Sequence, residues 1–159
     1  MLARSGIVVS SIVVVFCLVM TSLTAKADER DGVVRVKSEY SQAETISRLK
    51  KAIASKGIKF FSQIDQAKLA AKAGIKIAPS TLLVFGNPPL GTLFLSSNPA
   101  SGLDWPVRLL VHQDAKGDVW AVYTDFSWIA RRHRIEDRSK EFDMASQVIA
   151  AITSSVRAK

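Results

Sequence analysis

Cysteine occurs once in the 159 residues, at Cys17, and histidine twice, at His112 and His133. Cys17 lies inside an apolar N-terminal run, so the chain beyond that run has no thiol for a disulfide, a thiolate zinc site or a cysteine nucleophile. A histidine metal centre at His133 has only His112 to add, with Asp65, Asp104 and Asp125 as oxygen ligands if the fold gathers them. No metal or cofactor is expected. Walker, GxGxxG, GxSxG, HExxH and CxxC signatures are all missing. The glycine-bearing Gly86-Asn87-Pro88-Pro89-Leu90-Gly91 carries two prolines, which lack the amide donors a phosphate loop needs. There is no internal repeat and no low-complexity tract. With 48% hydrophobic and 23% charged residues, the composition is that of a globular protein and not of a disordered one.

What is present begins with a tripartite leader. Arg4 precedes a run from Gly6 to Met20 that is apolar apart from Ser10 and Ser11, and Ala25-Lys26-Ala27 is a small-x-small site. The run is shorter than the about 20 apolar residues of a membrane-spanning helix, and Phe16 is too bulky for a lipobox ahead of Cys17. Residues 1–27 are therefore expected to be a signal peptide cut after Ala27, with one α+β domain over 28–159. The protein is expected to be exported, periplasmic or secreted, meeting the membrane only through an uncleaved leader. Removing the leader takes two basic residues and no acid, lowering the formal charge from +8 to +6. The basic residues spread along Arg48, Lys50, Lys51, Lys56, Lys59, Lys68, Lys72 and Lys76, and the tight cluster is Arg131-Arg132-His133-Arg134. This pattern reads as a solvated cationic face; no nucleic-acid motif accompanies it, and no nucleic-acid partner is expected.

Periodicity predicts the elements. Val33 to Lys37 reads as a strand. Ser41-Gln42-Ala43-Glu44 fits a capping box that opens a helix to about Lys56, with Ile46, Leu49 and Ile53 on one stripe. Gly57 suits its C-terminal end. Ile58 to Ile64 reads as a strand with Ile58, Phe60 and Ile64 inward, and Asp65 caps a short helix over Gln66 to Ala73. Ser80 to Phe85 is apolar on both faces, which predicts a doubly covered central strand. Asn87 caps a helix begun by Pro88 or Pro89 that buries Leu90, Leu93 and Phe94, and Asn98 to Gly102 is a loop. Val107 to His112 and Val119 to Thr124 form a hairpin about Asp114-Ala115-Lys116-Gly117. Helices follow at Phe126 to His133 and Phe142 to Val156, the second with Met144, Val148, Ile152 and Val156 inward. The hairpin within this order argues for a two-layer α+β fold, a largely antiparallel sheet with helices packed on one face.

With these segments placed, the chain from about Val33 to Ile135 resembles domain-of-unknown-function family 302. The residues that carry the resemblance are Thr45-Ile46-Ser47-Arg48-Leu49, Lys56-Gly57-Ile58, Ile64-Asp65, Pro79-Ser80-Thr81-Leu82-Leu83-Val84-Phe85-Gly86-Asn87-Pro88 and Gly91-Thr92. To these add Gly102-Leu103-Asp104-Trp105-Pro106-Val107, Asp114-Ala115-Lys116-Gly117, Val119-Trp120, Tyr123-Thr124-Asp125 and Ile129-Ala130-Arg131-Arg132-His133. The resemblance implies a two-layer domain of TATA-binding-protein-like shape, without DNA binding and without a settled activity. Gln66 departs from the family pattern, which often has histidine there, and His112 stands where an aromatic is commoner.

Three functions follow as expectations. The first is a non-enzymatic exported domain binding a small molecule or an envelope protein. Its candidate site is Asp65, Asn87, Asp104, Asp125 and His133, and a homodimer forms through a sheet edge or a tryptophan-bearing face. The second is a hydrolase or isomerase using His133 with Asp104 or Asp125, which requires that pair to open on a pocket. The third is a structural envelope protein that docks through a basic face. Against these stands the plain reading of His133 as a helix-terminal histidine bonding the last carbonyls, and of Trp105, Trp120 and Trp128 as core.

Overall fold

A computed structural model of the chain describes residues 31–157; the leader, its cleavage site and Cys17 lie outside them. Five strands form one antiparallel sheet: β1 (Val33–Ser38), β2 (Lys59–Asp65), β3 (Ser80–Gly86), β4 (Val107–Gln113) and β5 (Val119–Thr124), in the order β1-β5-β4-β3-β2. The connections carry α1 (Gln42–Ser55), α2 (Gln66–Lys72), α3 (Pro88–Ser97), α4 (Phe126–Arg132) and α5 (Ser139–Ser154). The chain is thus an α+β domain. Along the strands, Val34, Val36, Leu83, Phe85, Leu109, Val111 and Ala121 are buried in one cluster with Leu49 and Ile53 of α1 and with Phe142, Ile149 and Ile152 of α5. The strand alternation puts these side chains on the helix-covered face.

The opposite face corrects the expectation for β3. Leu82 and Val84 are only half-buried. They are shielded sideways: Leu82 lies between Ile64 and Leu110, and Val84 between Ser62 and Arg108. Strand β2 is also corrected. A bulge between Phe60 and Ser62 shifts its phase, so Phe60 faces Phe85 across the pair while Ile64 lies opposite Leu82, on the other face and 38% exposed.

The helices follow their caps. Ser41 Oγ accepts from the Glu44 amide at 3.4 Å, but the Glu44 carboxylate pairs with Arg48 at 2.8 Å instead of reaching back. In α3, Gly91 and Phe94 are buried and Leu93 is exposed. The segment expected as a loop closes into a 3-10 turn over Pro99–Leu103. In α5 the buried set is Phe142, Ala145, Ile149, Ile152 and Thr153, with Met144 exposed. A strict spacing of four winds around a helix of 3.6 residues per turn, so the core follows steps of three and four instead.

Candidate functional site

Three of the five sequence-predicted site residues cap helix N-termini. Asp65 Oδ1 accepts from the Lys68 amide at 2.8 Å, Asn87 Oδ1 from the Leu90 amide at 3.2 Å and Asp125 Oδ1 from the Trp128 amide at 2.8 Å. Each oxygen meets an amide that its helix cannot satisfy internally. Asp65 and Asp125 stand apart at the starts of α2 and α4.

Asp104 and His133, by contrast, are brought together. Asp104 follows the 3-10 turn, His133 ends α4, and His133 Nε2 lies 2.7 Å from Asp104 Oδ2. Arg108 donates to Asp104 Oδ1 at 3.1 Å, and Arg132 Nη1 reaches both carboxylate oxygens, at 3.3 and 3.1 Å. The carboxylate is 3% exposed, while both arginines stay about half-exposed. A buried carboxylate is tolerated here because donors meet both of its oxygens. Asn98 Nδ2 donates to the His133 carbonyl at 2.8 Å, and Arg108 donates to the Leu103 carbonyl at 2.7 Å. The cluster therefore clamps the segment from Asn98 to Pro106 between α4 and β4. His133 bonds through its side chain to this carboxylate, not to the carbonyls that end α4. Two cavities touch Asp104; each holds about 10 Å³, room for one water, and His133 lines neither. This geometry joins the acid and the base in an enclosed setting, with Asp104 7% and His133 6% exposed.

The segment so clamped carries Trp105 into a larger space. A cavity of about 300 Å³ opens at the end of the sheet between α3 and α5. Its walls are mainly apolar: Ile58, Phe85, Leu90, Trp105, Val148 and Ile152, with Lys56 and Asn87 as polar members. The indole of Trp105 explains both glycines of the Gly86-to-Gly91 segment. A Cβ on Gly91 would lie 1.7 Å from Trp105 Nε1, and one on Gly86 would lie 3.0 Å from Trp105 Cζ2. Phe94 meets the same indole edge-on at 5.9 Å and stacks on Phe142 at 4.2 Å. The segment read as glycine-bearing but unfit for phosphate is a seat for tryptophan.

The family described as Domain of unknown function DUF302 matches residues 34–156. The chain belongs to that family. A solved structure, the uncharacterized conserved DUF302 protein from Bacillus stearothermophilus, superposes with a TM-score of 0.72 at 19% identity. The match covers 79% of this chain and 98% of that one, which confirms the fold. The chain is also 38% identical over 104 residues to proteins named fluoride-specific ion channel FluC 1 from Brucella suis and Brucella abortus. The match takes in 65% of this chain and 41% and 38% of those proteins, so the chain spans about two-fifths of their length. An alignment of that length falls mostly on residues 31–157, where no helix is long and apolar enough to cross a membrane.

Among the sequence-predicted residues Asn87 borders this apolar cavity, and Asp65 borders a separate, more open groove of about 540 Å³ with Gln42, Gln63 and Ile77. Lys56, Leu90, Trp105 and Val148 were not among those predicted. The available signal was Trp105 itself: a large aromatic between a turn and a proline, accompanied by two glycines that had no turn to explain them.

Proposed function

We propose that this domain binds a small, largely apolar molecule bearing one anionic group, such as a medium-chain or aromatic carboxylate. The apolar part occupies the cavity between α3 and α5, and the anion meets Lys56 and Asn87. The observation that carries this reading is the cavity: about 300 Å³, apolar walls, one cation and one amide. Its volume is at the lower end of the range for small-molecule sites, and a few polar groups in an apolar lining fix ligand orientation. The Asn87 cap uses only its oxygen, which leaves the amide nitrogen to donate. The enclosed Asp104 cluster acts in this reading as the anchor that holds Trp105 in the wall. The leader supports an exported setting, and the Brucella channel proteins support a place of work beside a membrane. Their channel activity is not part of the proposal.

The test uses Trp105 as reporter. Octanoate titrated against the protein is expected to change tryptophan emission saturably. Ala145→Phe, which fills the cavity from α5, is expected to abolish the response. Lys56→Gln is expected to weaken octanoate about tenfold, the size of one charge-assisted hydrogen bond, and to leave octanol unchanged. Undiminished octanoate binding in Ala145→Phe would place the site elsewhere.

A further inference from the structure

Beyond residue 27 the net positive charge is confined to one stretch. Residues 50–76 hold seven lysines and one acid, Asp65, while the rest of the chain after Ala27 balances at thirteen residues of each sign. Among the described residues none of those seven lysines forms an ion pair, whereas Arg35, Arg48, Arg108, Arg132 and Arg138 all do. The same stretch folds without burying itself. Helix α2 has no buried residue, and β2 is an edge strand exposed along nearly its whole length. Phe61, Leu69, Ile75 and Ile77 are 42%, 55%, 59% and 45% exposed, interleaved with Lys59, Lys68, Lys72 and Lys76. Lys59 Nζ sits 5.4 Å over the Phe61 ring, a cation and an aromatic offered to solvent together.

We infer that β2, α2 and the irregular linker to Pro79 form a docking surface for anionic phospholipid. Charge complementarity selects the partner. A second copy apposed through this face would bring two sets of lysines together with only Asp65 from each to offset them. A protein partner is matched less well by the composition: interface centres are depleted in Lys and their dominant anchors are Trp, Tyr and Arg, whereas Lys59 to Ile77 holds four lysines and, of the interface-favoured types, only Phe60 and Phe61. Lysines interleaved with Phe, Leu and Ile are instead the composition of surfaces that insert apolar side chains at the headgroup boundary while the ammonium groups stay in the aqueous layer. This surface is separate from the cavity and does not depend on what the cavity binds.

The test is hydrogen exchange of the full chain, followed peptide by peptide, with vesicles of phosphatidylcholine alone or mixed with phosphatidylglycerol. The leader carries two basic residues of its own, so the surface is read from residues 59–77 and from the variant below, whose leader is unchanged. Exchange over residues 59–77 is expected to slow at least fivefold with the anionic vesicles and to recover in high salt. The triple variant K68E/K72E/K76E is expected to lose the protection while exchange in β4 stays as in the parent, which shows the fold intact. Equal exchange with both vesicle types would overturn the inference. So would protection that rises with protein concentration without vesicles, which would mark a second copy. Protection by polyglutamate but not by vesicles would also overturn it, in favour of an acidic protein.

Discussion

Around Asp104 the arginines are committed inward: Arg108 and Arg132 converge on one carboxylate that is 3% exposed, beside His133. Along β2 and α2 the lysines are exposed, and so are Phe61, Ile64 and Leu69 between them. The two regions belong to one domain, yet one is closed on itself and the other is left unfinished. The difference follows residue type. A planar guanidinium can fork across a carboxylate and hold a loop in place, whereas a strongly hydrated ammonium on a flexible stem gains little from being fixed. Internal stability is therefore expected to depend on the closed end, and association on the open edge.

That division can be broken by substitution. Phe94→Ala should have the largest effect, about 3–5 kcal/mol of unfolding free energy, because it removes the ring that stacks on Phe142 and braces Trp105; denaturant titration measures it. Asp104→Asn should cost about 2–3 kcal/mol, less than a fully buried ion pair, because both arginines can still reach water. Gly91→Ala should cost about 1–3 kcal/mol and also weaken octanoate, since the new methyl displaces Trp105 from the cavity wall. Replacing Ile75 and Ile77 by serine should change stability by no more than about 0.5 kcal/mol. A loss as large as that of Phe94→Ala would show that the open edge is core after all.

The smallest effect is a pH dependence in the β4–β5 turn. The indole N–H of Trp120, donating to Asp114 Oδ2 at 2.9 Å, holds the Asp114 carboxyl below the usual carboxylate range, helped by the amides of Asp118 and Lys116. A depressed value means that this contribution is fully present above the unfolded-state value, 3.8, and is lost as pH falls through the lower folded value. Trp120 emission should therefore change in acid before global unfolding, and Asp114→Asn should remove that step.

The fold was largely legible because its elements are punctuated: Ser41, Asp65, Asn87 and Asp125 each begin a helix, and Gly117 turns the hairpin with φ +86°. The same residues serve two readings, since a capping aspartate and a ligand-binding aspartate look alike in sequence; the structure shows Asp65, Asn87 and Asp125 each giving one oxygen to a helix amide. A pairing of His133 with an aspartate was legible, but the choice of Asp104 over Asp125 and the enclosure of the pair were not, because Asp104 and His133 come from segments 29 residues apart that only the folded chain brings together. Ile64 was misplaced by a single bulged residue, which no alternation pattern marks. The cavity was hidden because its lining comes from separate segments, from Lys56 to Ile152, that only the α3–α5 packing brings together.

The central claim is that the space beside Trp105 is a ligand site. Native mass spectrometry of the protein purified from the cells that make it tests it most directly. The account predicts a stoichiometric small-molecule adduct that the wild-type chain retains and the Ala145→Phe chain lacks. The same adduct on both chains would contradict it, as would a bare wild-type mass that octanoate does not shift.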